Sequence, residues 1–234
     1  MPSASLLAHE GLPFANPLSE EDVDASIAEL DPGAGARVLE TGCGTAELLR
    51  RVVERHPDAT GLGVDPDAEA IVLARPRERV KLVVATAEDA DLAPASFDVV
   101  VNVASSHAHG GFPAALGALA ALTRPGGAVL YGEGFWAREP TAEFLEALGG
   151  ATRDELGDHD ELLAAARAAG LEPVFERVAT AASWAQYEET LAANAERRDD
   201  PESAAYARRI RERRALPGGT TTLGFALLVL RRQP

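Results

Sequence analysis

Apolar residues recur along this chain with two periods, and the two alternate in order. After an irregular stretch over residues 1–18, Val23, Ile27 and Leu30 repeat at helical spacing. Ser19 with Asp22 makes a capping-box variant ahead of them, and Asp31-Pro32-Gly33 stops that helix. A short apolar strand over Arg37–Thr41 leads to a helix over 45–55 with Leu48, Leu49, Val52 and Val53 on one face, ended by His56-Pro57. Next come a strand over Thr60–Asp65, a helix over 67–74 stopped at Pro76, and strands over 80–85 and Phe97–Val103. A helix over 113–122 turns at Pro125-Gly126-Gly127 into a strand over 128–133. Helices over 140–148 and 158–169 precede a strand over 171–179. Strands alternating with helices, each strand nearly continuously apolar, predict a doubly wound α/β protein whose sheet is covered on both faces.

The tail departs from alternation. Residues 183–216 are polar and helix-rich, and a last strand is expected over 220–230. No repeat or linker argues for a second domain. The expectation is one domain over 1–234: a core over 37–180 and 220–232, an N-terminal cap over 1–30 and a helical insert over 183–216. Residues 1–18 and 183–216 carry Phe14, Leu18, Trp184 and Tyr187 amid polar sequence, which fits an amphipathic lid over the carboxyl edge of the sheet. Such a lid is expected to enclose a pocket with His107, His109, Phe135 and Trp136. A homodimer interface would use the same apolar stripes and is the competing reading.

The most telling segment is Val38-Leu39-Glu40-Thr41-Gly42-Cys43-Gly44-Thr45-Ala46-Glu47. A strand crosses a Gly-x-Gly turn into a helix. Glycine permits left-handed turn angles and close approach of a ligand, and a helix amino end offers free N–H groups. Asp65 closes the next strand about 20 residues on, where such folds bind ribose hydroxyls. A dinucleotide fingerprint wants a third glycine where Glu47 stands. Glu47 and Glu40 would repel a pyrophosphate, and Glu40 is well placed for an amino group instead.

The Glu40-x-Gly42-x-Gly44 pattern resembles the first motif of the class I S-adenosylmethionine-dependent methyltransferases, whose cofactor carries an ammonium and a sulfonium but no phosphate. Ser96-Phe97-Asp98-Val99-Val100 resembles that family's entry to its fourth strand, and Leu122-Thr123-Arg124-Pro125-Gly126-Gly127 its turn before the fifth. The resemblance implies a seven-stranded, mostly parallel sheet with an antiparallel last strand. It implies S-adenosylmethionine held by Glu40, Gly42, Gly44 and Asp65, with adenine contacts at Ala87 and Glu88 and a further contact at Asn102. Thr86 stands where the family often has an acid. The segment Ser105-Ser106-His107-Ala108-His109 then faces the reactive methyl. In an extended segment His107 and His109 point to one side. Either is a candidate base, and His107, nearer the strand end, is the catalytic candidate. His109, Phe135, Trp136 and Trp184 are candidate substrate contacts. The activity implied is in-line methyl transfer to a small organic molecule. The alternatives are a nicotinamide-dependent reductase on a similar fold and a non-catalytic, cofactor-binding regulatory subunit.

Charge narrows the partners. With 37 acidic against 22 basic residues the net charge is −15, which repels phosphate backbones, so no nucleic-acid partner is expected. The basic run over 208–214 reads as a solvated helix face paired with acids. Cys43 is the only cysteine, so no disulfide forms within the chain. The amino terminus does not read as a signal peptide, and the longest apolar run, 223–230, is too short to span a bilayer. A cytoplasmic protein without a membrane partner is the expectation. No acid lies close to the two histidines in sequence, so no metal site is expected.

Overall fold

The computed structural model describes residues 3–74 and 78–234, so the expected helix stop at Pro76 lies outside the described residues. One sheet holds β1 (Arg37–Thr41), β2 (Thr60–Asp65), β3 (Val80–Val84), β4 (Phe97–Val103), β5 (Thr123–Trp136), β6 (Leu171–Val178) and β7 (Leu223–Arg232). The order is β3-β2-β1-β4-β5-β7-β6. β1 to β5 pair in parallel, and β7 runs antiparallel to both β5 and β6. This is the doubly wound α/β sheet with an antiparallel last strand that the sequence implies.

Nine α-helices are described: α1 (Ala4–Ala8), α2 (Glu20–Ala28), α3 (Glu47–Arg55), α4 (Ala68–Leu73), α5 (Phe112–Leu122), α6 (Ala142–Ala147), α7 (His159–Ala168), α8 (Ala181–Glu196) and α9 (Pro201–Ala215). The period-two alternation of the strands divides the core into two layers. Val38, Val99, Val101, Leu130 and Leu227 pack against Val23 and Ile27 of α2 and Leu49, Val52 and Val53 of α3. Leu39, Val100, Val129 and Leu228 pack against Leu116 and Leu119 of α5 and Leu162 of α7. Every residue of β4 is buried, as expected for the central strand. The Ser19–Asp22 capping box forms at α2 as read.

Two element boundaries differ from the pattern. β5 starts at Thr123 rather than 128, because the Pro-Gly-Gly turn is taken into the ladder as an irregularity between Phe97 and Val99. Gly127 permits this: a Cβ there would lie 2.8 Å from the Asp98 carbonyl oxygen. α1 was invisible to periodicity because five residues hold little more than one turn; Ser3 caps it by accepting the Leu6 N–H.

The cap leaves and returns at the carboxyl edge of the sheet. β6 ends there, and β7 re-enters beside the end of β5, with Leu223 opposite Trp136. Between them α8 and α9 form a hairpin, and α1 lies against both. Ala8, Leu191, Ala192, Ala195, Ala207 and Ile210 make a small core of their own. Asn194 is buried and donates to the carbonyls of Ala8 (2.7 Å) and Glu10 (2.8 Å), stitching the amino-terminal segment to the hairpin. Phe14, Leu18 and Trp184 join this unit to the main core beside α3, and the Arg51 guanidinium sits 4.8 Å over the Phe14 ring. The basic run pairs with acids as read, Arg211 meeting Glu189 and Glu196, but it is not solvated at Arg213. Arg213 is buried and pairs with the buried Glu188 at 2.6 Å.

Candidate functional site

Strand order reverses between β1 and β4, and their carboxyl ends open the crevice where such sheets take ligands. The turn after β1 alternates into left-handed angles at Gly42 (φ +67°), Gly44 (φ +50°) and Ala46 (φ 58°). The two glycines serve different ends. A Cβ on Gly42 would lie 2.5 Å from the Ser105 side chain, so this glycine admits the segment after β4. A Cβ on Gly44 would meet nothing within 4 Å, so this glycine keeps a space open. Gly44→Val should therefore fill that space and also strain the left-handed turn. We expect at least a hundredfold loss of S-adenosylmethionine affinity by calorimetry; normal binding would mean that the ligand does not cross this turn.

Ala46 stands at the N-cap of α3 without a capping side chain. Glu40, from the preceding strand, supplies the cap: its Oε2 accepts the Leu49 N–H at 3.0 Å. Glu40 is only 3% exposed, and no cation pairs with it among the described residues. Burial first, then the nearby charges of Asp65 and Glu47, push its carboxyl up to about 8. A carboxylate buried this way is an acceptor for a cationic ligand. The shift also makes a pH prediction. The folded chain keeps a proton that the unfolded chain loses above the ordinary carboxyl range, so this contribution to stability is full at low pH and declines as pH rises toward 8. Without ligand, the denaturation midpoint should fall between pH 5.5 and 8 more steeply than in Glu40→Gln. Parallel profiles would contradict it.

Asp65 closes the turn from β2. Its Oδ2 accepts the Gly44 N–H at 2.7 Å and its Oδ1 the Asp67 N–H at 2.8 Å. A carboxylate has about four lone-pair sites, so acceptor capacity remains. Glu47 differs from expectation. It pairs with Arg50 (2.5 Å) and Arg51 (2.9 Å), which hold its pKa down against the opposing effect of burial. Its charge is balanced, so the case against a pyrophosphate rests on Glu40.

The segment after β4 corrects another expectation. Ser106–His109 is a 3-10 turn, not an extended stretch. At three residues per turn, side chains two apart do not share a face. His107 is exposed, whereas His109 is half-buried with its Nε2 3.2 Å from Thr41 Oγ1. Burial and the neighbouring His107 lower the pKa of His109. Asn102 is wholly buried, and its Nδ2 donates to the Thr41 carbonyl (3.1 Å) and Thr41 Oγ1 (2.9 Å), leaving Oδ1 without a partner among the described residues.

The four candidate substrate contacts do not gather in one pocket. His109 lines a cleft of about 610 Å³ that also holds Ala87 and Glu88. Phe135 and Trp136 line a separate hollow of about 290 Å³ with Asp158 and His159. No cap residue lines either, which departs from the expected enclosure of His107, His109, Phe135 and Trp136 by the cap. Trp136 is buried, donates its indole N–H to the Arg153 carbonyl at 2.9 Å, and packs edge-on against Phe144 of α6. Phe135 lies across Gly224 of β7, where a Cβ would come within 2.3 Å of the ring. Trp184 sits in the seam between hairpin and core beside Tyr187, its indole Nε1 buried without a partner among the described residues. Sequence reasoning passed over Thr41 and Ser105, which link the glycine turn to the β4 segment. Their only signal was adjacency to a motif.

Fold and site together define a class: a doubly wound α/β protein whose open crevice at the β1/β4 switch point carries a glycine turn and the acids Glu40 and Asp65. Comparison with known proteins narrows this. A family model described as "Methyltransferase domain" matches residues 38–127. The fatty-acid O-methyltransferase of Mycolicibacterium smegmatis is 33% identical over 134 residues, 52% of this chain and 48% of that one. The chain thus spans about half the length of that relative. Among solved structures, a SAM-dependent methyltransferase from Thiobacillus denitrificans in complex with S-adenosyl-L-homocysteine is 27% identical, with a TM-score of 0.79 over 100% of this chain and 99% of that one. The Geobacter sulfurreducens protein of the same description shares the fold at a TM-score of 0.85 and 24% identity, over 100% of this chain and 99% of that one. Residues 38–127 thus match a methyltransferase domain, and the whole chain shares the fold of SAM-dependent methyltransferases crystallised with S-adenosyl-L-homocysteine, which supports S-adenosylmethionine as the cofactor.

Proposed function

We propose that this chain transfers a methyl group from S-adenosylmethionine to a small organic molecule by in-line displacement. The observation that carries the reading is Glu40, a buried carboxyl group that no cation pairs among the described residues, beside a glycine turn with open space at Gly44. Asp65 holds the ribose, the backbone at Gly42 and Gly44 lines the cofactor's path, and Glu40 with the unpartnered Oδ1 of Asn102 faces its ammonium end. Ala87 and Glu88 flank the adenine. The cofactor supplies a sulfonium-bound methyl, already a good leaving group. The chain's task is to hold the acceptor in line and exclude water. His107 is the base where the acceptor must lose a proton. The buried, unpartnered indole N–H of Trp184 supports a substrate contact at the cap. His109, Phe135 and Trp136 are the other substrate candidates, and they line two separate hollows.

The named relative acts on a fatty acid, which favours a carboxylate on an apolar chain as the first acceptor class to test. The protein is incubated with S-adenosylmethionine and a panel of small carboxylic acids, phenols and amines, and S-adenosylhomocysteine release is measured. Acceptor-dependent release, cut about a hundredfold in His107→Ala for the phenol or amine acceptors that must lose a proton, with cofactor affinity retained, supports the reading. Cofactor binding without release for any acceptor would favour the non-catalytic regulatory subunit.

We propose further that the cap works as a lid rather than a dimer interface, because its apolar faces already bury one another. Limited proteolysis should show cuts in 1–18 and 183–216 suppressed by cofactor plus acceptor, at any protein concentration. Protection that ignores ligand and rises with concentration would favour the homodimer. No nucleic-acid or membrane partner is proposed: the net charge is −15, and no helix among the described residues is long and apolar enough to cross a membrane. A cytoplasmic location fits this reading.

A further inference from the structure

We infer that His109 reads the purine of the cofactor as a hydrogen-bond donor, in a tautomer fixed by Asn102 and Thr41. The inference rests on the cofactor assignment above. It begins with the Asn102 amide, which faces two backbone carbonyls, Thr41 O at 3.1 Å and Ser105 O at 3.4 Å. Carbonyls only accept, so the group facing them is the NH₂. The same nitrogen donates into Thr41 Oγ1 at 2.9 Å. Thr41 is fully buried, and its hydroxyl proton needs an acceptor. His109 Nε2, 3.2 Å away, is that acceptor. Nε2 therefore carries the lone pair, and the ring proton resides on Nδ1. Burial and the neighbouring His107 keep the ring neutral, as this arrangement requires.

The lining of the cleft gives that proton a use. Beside His109 it holds two carboxylates, Glu88 and Asp91, and otherwise only glycine and apolar side chains such as Leu92 and Ala118. A purine of the adenine type presents an exocyclic amine, which donates, and ring nitrogens, which accept. The carboxylates suit the amine. Among the residues lining the cleft, His109 is the one whose side chain donates to a ring nitrogen. With Nε2 committed to Thr41, His109 is a cofactor-reading residue, not the base. Asn102 and Thr41 are positioning residues that act through it.

Nitrogen-15 NMR of the imidazole ring in the full chain reads the tautomer directly, and calorimetry with S-adenosylhomocysteine reads the contact. We expect His109 to be protonated on Nδ1, and Thr41→Val to release that preference. His109→Phe should weaken S-adenosylhomocysteine about tenfold and, by stranding the buried Thr41 hydroxyl, lower the ligand-free melting temperature by only a few degrees. His109→Asn, which keeps an N–H donor without a basic ring, should recover most of the loss. A proton on Nε2 would overturn the inference, as would equal affinity in wild type and His109→Phe. Absence of S-adenosylhomocysteine binding by the wild type would instead overturn the cofactor assignment on which the inference rests.

Discussion

Replacing Asp65 by alanine is expected to weaken S-adenosylmethionine binding by about 10²–10⁴-fold, the largest single loss that the site should show. Asp65 lies at the end of β2 with its carboxylate already tied to the N–H groups of Gly44 and Asp67. Its remaining lone pairs are free for two ribose hydroxyls. Each charge-assisted hydrogen bond contributes about 1.5–3 kcal/mol, and a factor of ten is about 1.4 kcal/mol. The alanine variant also frees the Gly44 amide, so part of its loss comes from a looser turn. Asp65→Asn separates the two effects, because it keeps one acceptor oxygen for the turn and removes the charge. Calorimetry on both variants, with circular dichroism to confirm folding, makes the comparison. Unchanged affinity in folded Asp65→Ala would remove this residue from the site.

The second large effect concerns stability. Glu188→Ala should destabilise the α8/α9 hairpin by about 3–5 kcal/mol, because it strands Arg213 in the interior without its partner. Glu188 is 3% exposed and Arg213 7%, and their contact is 2.6 Å. Arg213 already has one buried nitrogen, Nη1, without a partner among the described residues. Its guanidinium also lies 5.7 Å over the Phe144 ring, which ties the hairpin to α6. For a chain of this size each kcal/mol lowers the melting temperature by about 2–4 °C, so a fall on the order of 10 °C is expected. Hydrogen exchange should localise the loss to residues 181–216. A double variant with apolar residues at both positions should restore much of it. A melting temperature within a degree of wild type in Glu188→Ala would contradict the account.

What was legible in the sequence follows from the range of the interactions concerned. β4 and the Ser19–Asp22 cap announce themselves through residues within a few positions of one another. The glycine turn and Asp65 were legible because their spacing is fixed by one strand-turn-helix-strand unit. Arg213 was read as solvated because its neighbours in sequence are charged; its burial depends on α8 and α6, which only the fold brings to it. His109 was grouped with Phe135 and Trp136 because all three follow strand ends, but a 3-10 turn at Ser106–His109 directs it toward β1 and the Ala87–Glu88 cleft. Glu47 looked like an unbalanced charge until α3 set Arg50 and Arg51 beside it. The role of Gly42 depends on Ser105, 63 residues away.

The central claim is that the crevice between β1 and β4 binds a cationic nucleoside cofactor without phosphates. Calorimetric titration of the ligand-free protein with S-adenosylmethionine and, separately, with NADH tests it most directly. Saturable one-to-one binding of S-adenosylmethionine is expected, sharply weakened in Asp65→Ala and Gly44→Val, with no heat from NADH. Saturable binding of NADH, with S-adenosylmethionine silent, would contradict it.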